Sequence, residues 1–105
     1  MMQTVTSGHS GGMPAAGCRL ELYVAGDTRN SRRAAENLGR YLQQLDRPVD
    51  LIVVDVLKDP KAAFERSIFA TPSLIVEAAG RKSLIVGDLS EGEAMLRSLL
   101  APDAG

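Results

Sequence analysis

The sequence has few of the residues on which small proteins rely for chemistry. Its 105 residues include one cysteine, Cys18, one histidine, His9, and no tryptophan. A single cysteine excludes an internal disulfide framework and a Cys-x-x-Cys redox pair, and it fits a reducing compartment such as the cytoplasm. His9 alone cannot form a metal site, because such a site needs three or four ligands. We therefore expect neither a metal nor a cofactor.

Charge of one sign and long apolar runs are also missing. The chain has 12 Lys and Arg against 13 Asp and Glu, so no net field attracts nucleic acid or an anionic membrane. No apolar run is long enough to span a bilayer, and the first residues lack the pattern of a secretory signal. The glycines match neither phosphate-binding motif, so any nucleotide would belong to a partner. We expect a cytoplasmic protein with no nucleic-acid or membrane partner.

Length and composition predict one folded domain with two polar ends. Residues 1–17 are rich in Ser, Thr and Gly and have few large apolar side chains, which predicts a disordered arm. Residues 18–101 form the domain, and residues 102–105 form a short tail. About 85 residues suffice for one compact core.

The pattern of the first half of the domain predicts a strand, a helix and a second strand. Leu20, Leu22 and Val24 alternate on one face of a strand, with Arg19, Glu21 and Tyr23 on the other. A polar loop follows, and Asn30 or Ser31 is suited to cap a helix that ends near Leu45, before Pro48. Residues 49–56 are apolar on both faces, which predicts a parallel strand covered on both sides. Together these elements form a right-handed βαβ unit.

The second half begins with a short helix and a proline bend. Asp59 can cap this helix and Pro60 can occupy its first position, with Ala63, Phe64 and Ile68 turned inward. Thr71-Pro72 then ends the segment; its X-Pro bond is a candidate cis bond, which we prefer over trans, although composition and spacing leave both isomers open.

A hairpin and a last helix complete the chain. Residues 74–77 and 82–86 flank Gly80, which can take a positive φ. Ser90 and Glu93 have capping-box spacing before a helix that Pro102 stops. Its predicted buried residues are Met95, Leu96, Leu99 and Leu100. The resulting order, βαβαββα, is the thioredoxin-like arrangement, an α/β fold with a four-stranded mixed sheet and the first and last helices on one face.

Four sequence segments, in this order along the chain, resemble the KaiB family of circadian clock proteins. They are residues 22–31 (LYVAGDTRNS), 54–60 (VDVLKDP), 70–74 (ATPSL) and 87–90 (GDLS), and the resemblance covers residues 20–100. It implies a non-enzymatic clock regulator that docks on the N-terminal ring of the hexameric ATPase KaiC and helps to sequester KaiA where that protein is present. The domain is also similar to the sensor domain of clock-associated histidine kinases.

The resemblance further implies a choice between two folds. Family members exchange between a tetramer with a rearranged C-terminal half, βαββααβ, and a thioredoxin-like monomer that binds KaiC. Thr71 and Pro72 would then form the hinge region, and Gly87, Asp88 and Ser90 precede the last helix. Here residues 94–100 are good helix formers without glycine, and Ala78-Ala79-Gly80 replaces the family's proline run. We expect the thioredoxin-like fold as the resting state.

Candidate partner-binding residues are Asn30, Arg33, Lys58 and Arg66, of which Lys58 and Arg66 lie in the segment that, by resemblance, faces KaiC. The alternative interpretation is that these charges form a solvated surface and that Asn30 merely turns the chain. Two other functions compete with clock regulation. One is a thioredoxin-like oxidoreductase or peroxide-handling enzyme that uses Cys18 with an external thiol. The other is a stress-response or scaffold domain without a clock partner.

Overall fold

The computed structural model describes residues 18–45, 49–78 and 80–100. Its elements are β1 (Cys18–Val24), α1 (Arg29–Gln43), β2 (Asp50–Asp55), α2 (Pro60–Glu65), β3 (Ser73–Ala78), β4 (Arg81–Val86) and α3 (Glu93–Leu100). This order confirms the predicted βαβαββα arrangement. The expectations for residues 1–17, Pro48, residues 102–105 and the side chains of Leu99 and Leu100 lie outside what the structure describes.

The four strands form one mixed sheet in the order β2-β1-β3-β4. β1 is parallel to β2 and antiparallel to β3, and β3 pairs with β4 in a hairpin. In β2, Val53 packs towards one core and Val54 towards the other, so both faces are in contact as predicted. Because β2 lies at the sheet edge, however, Leu51 is the only one of its residues to be buried. The two inner positions belong to β1 and β3, and β1 is covered on both faces.

Two cores lie on opposite faces of the sheet. The larger one joins α1 and α3 to β1 and β3, and its fully buried leucines are Leu20, Leu22, Leu38, Leu74 and Leu96. Each such side chain contributes about 1.5–3 kcal/mol of transfer free energy. The smaller core, around Tyr23, Ala63 and Ile75, lies under α2. The predicted distribution of helices over the two faces is therefore confirmed.

Met95 was predicted to be buried by α3, and that prediction is wrong. Its side chain is 53% exposed, whereas Leu96 beside it is buried. Successive helical residues point about 100° apart, so a helix that contacts the sheet along one stripe buries only one of the two neighbours.

The helix caps differ partly from those predicted. Thr28, not Asn30 or Ser31, is the N-cap of α1, and its hydroxyl accepts a hydrogen bond from the Ser31 N–H at 3.4 Å. Ser90 does not cap α3 either, because that helix begins later, at Glu93, where the Gly92 carbonyl accepts from the Leu96 N–H at 2.8 Å. The Ser31 hydroxyl instead accepts a hydrogen bond from the Ala25 N–H at 3.0 Å, and the Ser90 N–H donates to the Asp88 carboxylate at 2.9 Å.

The cap of α2 and both turns of the second half agree with prediction. Asp59 accepts from the Ala62 N–H at 3.2 Å and Pro60 is the first residue of the helix. Gly80 has a φ of +76°, and the Thr71-Pro72 bond is cis. The Pro72 carbonyl accepts from the Gly87 N–H at 2.9 Å, which joins the start of β3 to the end of β4.

Candidate functional site

Asp55, at the end of β2, holds two loops together. One oxygen of its carboxylate accepts from the Gly26 N–H at 2.9 Å and from the Leu57 N–H at 3.0 Å. Gly26 has a φ of +59°, and a Cβ there would lie 3.0 Å from Leu57 Cδ1, so the chain needs glycine at this position. The loop before α1 and the turn before α2 thus meet at the carboxyl ends of the two parallel strands. Sequence reasoning overlooked Asp55, although the last polar residue of a parallel strand is typical of such sites.

The connection between β2 and β3 carries three large apolar side chains in solvent. Leu57 is 70% exposed, Phe64 80% and Phe69 87%. Together with the exposed Lys58 they are here called the α2 surface. Single exposed apolar residues are common, but two exposed phenylalanines within one short connection indicate an interaction surface.

Phe64 was predicted to point inward, and that prediction is wrong. α2 has only six residues, and Ala63 is the buried one. The sheet beneath it already presents the large side chains of Tyr23 and Ile75, which leave room for a small residue at the contact. Ile68, also predicted inward, does pack against this smaller core.

Glu21 lies beneath α2 and is bound by three side chains. It is 2% exposed, and its Oε1 accepts from the Tyr23 hydroxyl at 2.9 Å. Its Oε2 lies 2.8 Å from Arg66 Nη2 and 3.3 Å from Arg19 Nε. Burial, together with the hydrogen bond to Glu21, raises the pKa of Tyr23 above its ordinary value. Arg66 thus pairs with Glu21 while its side chain remains 36% exposed, and its predicted contact with a partner stays a prediction.

A second cluster fastens the turn between β4 and α3 to α1. Asn37 Nδ2 donates to the Asp88 carbonyl at 2.8 Å, and the Tyr41 hydroxyl donates to the Leu89 carbonyl at 2.6 Å. Leu89 has a φ of +68°, which costs an L-residue with a bulky side chain about 1–2 kcal/mol. The hydrogen bonds from α1 offset this strain.

Asp88 is the charged member of the same cluster. Its carboxylate accepts from the Ser90 N–H at 2.9 Å and lies 3.9 Å from Arg33 Nη1. The Ser90 N–H and hydroxyl hold the pKa of Asp88 below its usual value, and Arg33 acts in the same direction.

The predicted partner-binding residues thus fall into two groups. Lys58 and Arg66 flank α2, while Asn30 and Arg33 lie on α1, three residues apart and on one side of that helix. Cys18 is fully buried at the start of β1.

Within the described ranges no cluster of His, Cys, Asp or Glu has the makings of a metal site. In the same part of the chain, no helix is long and apolar enough to cross a membrane.

A model of the KaiB domain matches residues 21–100, which is most of the chain. The chain belongs to the KaiB family. The circadian clock oscillator protein KaiB of Cyanothece sp. is 48% identical over 83 residues, which cover 76% of this chain and 77% of that protein. The corresponding protein of Trichodesmium erythraeum is also 48% identical, over 76% of this chain and 78% of the relative. The predicted family is therefore confirmed.

Solved structures confirm the fold of this KaiB-family domain. The N-terminal domain of Synechococcus elongatus SasA superimposes with a TM-score of 0.69 at 20% identity, covering 98% of each chain. Mitochondrial thioredoxin 3 of Saccharomyces cerevisiae gives a TM-score of 0.66 at 17% identity, covering 81% of this chain and 78% of the other. At these identities the likeness concerns the thioredoxin-like fold alone.

Proposed function

We propose that this KaiB-family protein is a non-enzymatic regulator that binds the N-terminal ring of a KaiC-type hexameric ATPase and modulates its phosphorylation or ATPase cycle. The observation that carries the proposal is the α2 surface. It exposes Leu57, Phe64, Phe69 and the cation Lys58, all in the segment that the family resemblance assigns to KaiC. Aromatic anchors next to a charge are typical of binding hot spots.

Further partners follow from the same proposal. KaiA, or the output pathway of a clock-associated histidine kinase, would act on the complex rather than on the free protein. A dimer or tetramer would form in the alternative fold, with Thr71 and Pro72 at the hinge. Since the proposed partner uses ATP, the protein would work in the cytoplasm. A redox function has less support, because Cys18 is buried and the loop before α1 has no thiol.

The test is a binding experiment with the cognate KaiC-type ATPase in ATP or ADP. We expect a complex on size exclusion, and we expect Lys58→Glu to weaken it while circular dichroism remains unchanged. Lys82→Glu is the matched control, since Lys82 is also exposed but lies on β4 and pairs with Glu77. Failure of the wild-type protein to form a complex would refute the proposal, and binding by both variants as tight as that of the wild type would refute the assignment of the α2 surface to the ATPase.

A further inference from the structure

The fold alone does not explain why a carboxylate is buried at Glu21. A charge in the middle of a central strand loses its hydration, and it is tolerated only when bound by partners. Here Tyr23 and Arg66 each donate a hydrogen bond to one carboxylate oxygen, and Arg19 adds an ion pair at 3.3 Å. Of these three partners, Arg19 and Tyr23 belong to β1 itself, whereas Arg66 comes from the end of α2, 45 residues away. The cluster therefore links two elements.

α2 has little else to hold it on the sheet. It is six residues long, which is too short for a helix to be stable by itself. Ala63 is its buried residue, and Phe64 on the next position points into solvent. Arg66, the C-cap residue of α2, reaches back to Glu21 with a hydrogen bond of 2.8 Å. This charged contact complements the small apolar contact made by Ala63.

We propose that Glu21 is a positioning residue for the α2 surface: by binding Arg66 from beneath, it fixes the helix that presents Phe64 and its neighbours to a partner. The inference rests on the proposed function, since it assigns to Glu21 an effect on docking without any contact with the partner. At 2% exposure Glu21 lies below the surface that a partner would touch.

Replacing Glu21 by glutamine removes the charge of the side chain and keeps its shape. In Glu21→Gln the side chain keeps its size, but the cations of Arg19 and Arg66 face each other without a counter-charge. Arg66 is 36% exposed along its side chain, so it can swing into solvent and release the end of α2. The sheet beneath keeps its apolar contacts, and the effect should stay local.

Amide hydrogen exchange tests this step without any partner. In Glu21→Gln we expect residues 60–68 to exchange about tenfold faster relative to β3, as the loss of a charged hydrogen bond predicts. Arg66→Gln should give the same pattern, and Glu21→Gln with Arg66→Gln should be no looser than either single variant, because the two side chains act as a unit. The control is Glu77→Gln, which removes another carboxylate from the same sheet face, one that pairs with Lys82 on β4.

Binding to the KaiC-type ATPase tests the second step. We expect Glu21→Gln to lower the affinity by about tenfold, a size usual for coupling between a remote group and a binding surface, and Glu77→Gln to leave it unchanged. Unaltered exchange of α2 in both Glu21→Gln and Arg66→Gln would overturn the inference. Faster exchange with unaltered affinity would also overturn it. If the wild-type protein forms no complex, the proposed function fails, and the exchange data still decide whether Glu21 holds α2.

Discussion

Glu21 and Tyr23 show how position in the sheet changes the role of a polar residue. Their alternation with leucines is visible in the sequence, and the structure confirms that they share one face of β1. This face is buried because β1 is an inner strand of the sheet and because α2 packs on that side. The partner Arg66 lies far along the chain, so no local pattern predicts the cluster.

The raised pKa of Tyr23 gives a prediction at alkaline pH. Because burial favours the neutral phenol in the folded state, Tyr23 contributes stability that is fully present below its unfolded pKa of about 10 and is lost as the pH rises above it. We expect the ultraviolet absorbance of the Tyr23 phenolate to appear only as the protein unfolds. The chain has two tyrosines, so subtracting the titration of Tyr23→Phe isolates this signal. Reversible ionisation of Tyr23 near pH 10 with intact circular dichroism would contradict it.

At the scale of elements, the sequence predicts the helices and strands well because their signals are local. Asp59 and Pro60 start α2, Gly80 turns the hairpin, and leucines mark the buried face of β1. The errors concern tertiary contacts. Phe64 and Met95 look like core residues by composition, yet which side of a short helix meets the sheet depends on what the sheet presents. The sequence analysis selected Lys58, which is exposed, and missed the exposed Phe64 and Phe69; that these side chains bind a partner stays a proposal.

The attachment of the β4–α3 turn to α1 predicts a measurable loss of stability. Asn37→Ala removes the donor to the Asp88 carbonyl and leaves that partly buried acceptor without its protein partner. We expect the free energy of unfolding, measured with urea, to fall by about 1–3 kcal/mol. Asn30→Ala, an exposed substitution on the same helix, should change it by less than about 0.5 kcal/mol. Equal effects of the two substitutions would show that the contact does not stabilise the turn.

At the scale of the whole molecule, different contacts hold the two halves of the domain in place. The βαβ half is joined by parallel strand pairing and by the Asp55 carboxylate. The half after Pro72 is joined through β3, through the turn at Leu89 and through Leu96 of α3. If the proposed alternative fold forms, it would break the contacts of Leu89 and Leu96 and leave the βαβ half intact.

The relative stability of the two folds depends in part on the helix propensity of α3. A single exposed residue on α3 can change that propensity. Ser98 is exposed on α3, so Ser98→Ala and Ser98→Gly alter helix propensity without altering the core. Alanine and glycine differ by about 1 kcal/mol in a helix, which changes the ratio of two exchanging folds about fivefold. We expect nuclear magnetic resonance to show residues 93–100 helical in the major, monomeric species, and Ser98→Gly to raise any extended, oligomeric species relative to Ser98→Ala. If residues 90–100 are extended in the major species of the unaltered protein, the thioredoxin-like fold is not the resting state. The alternative fold would then be the more stable one despite the helix-forming sequence of α3.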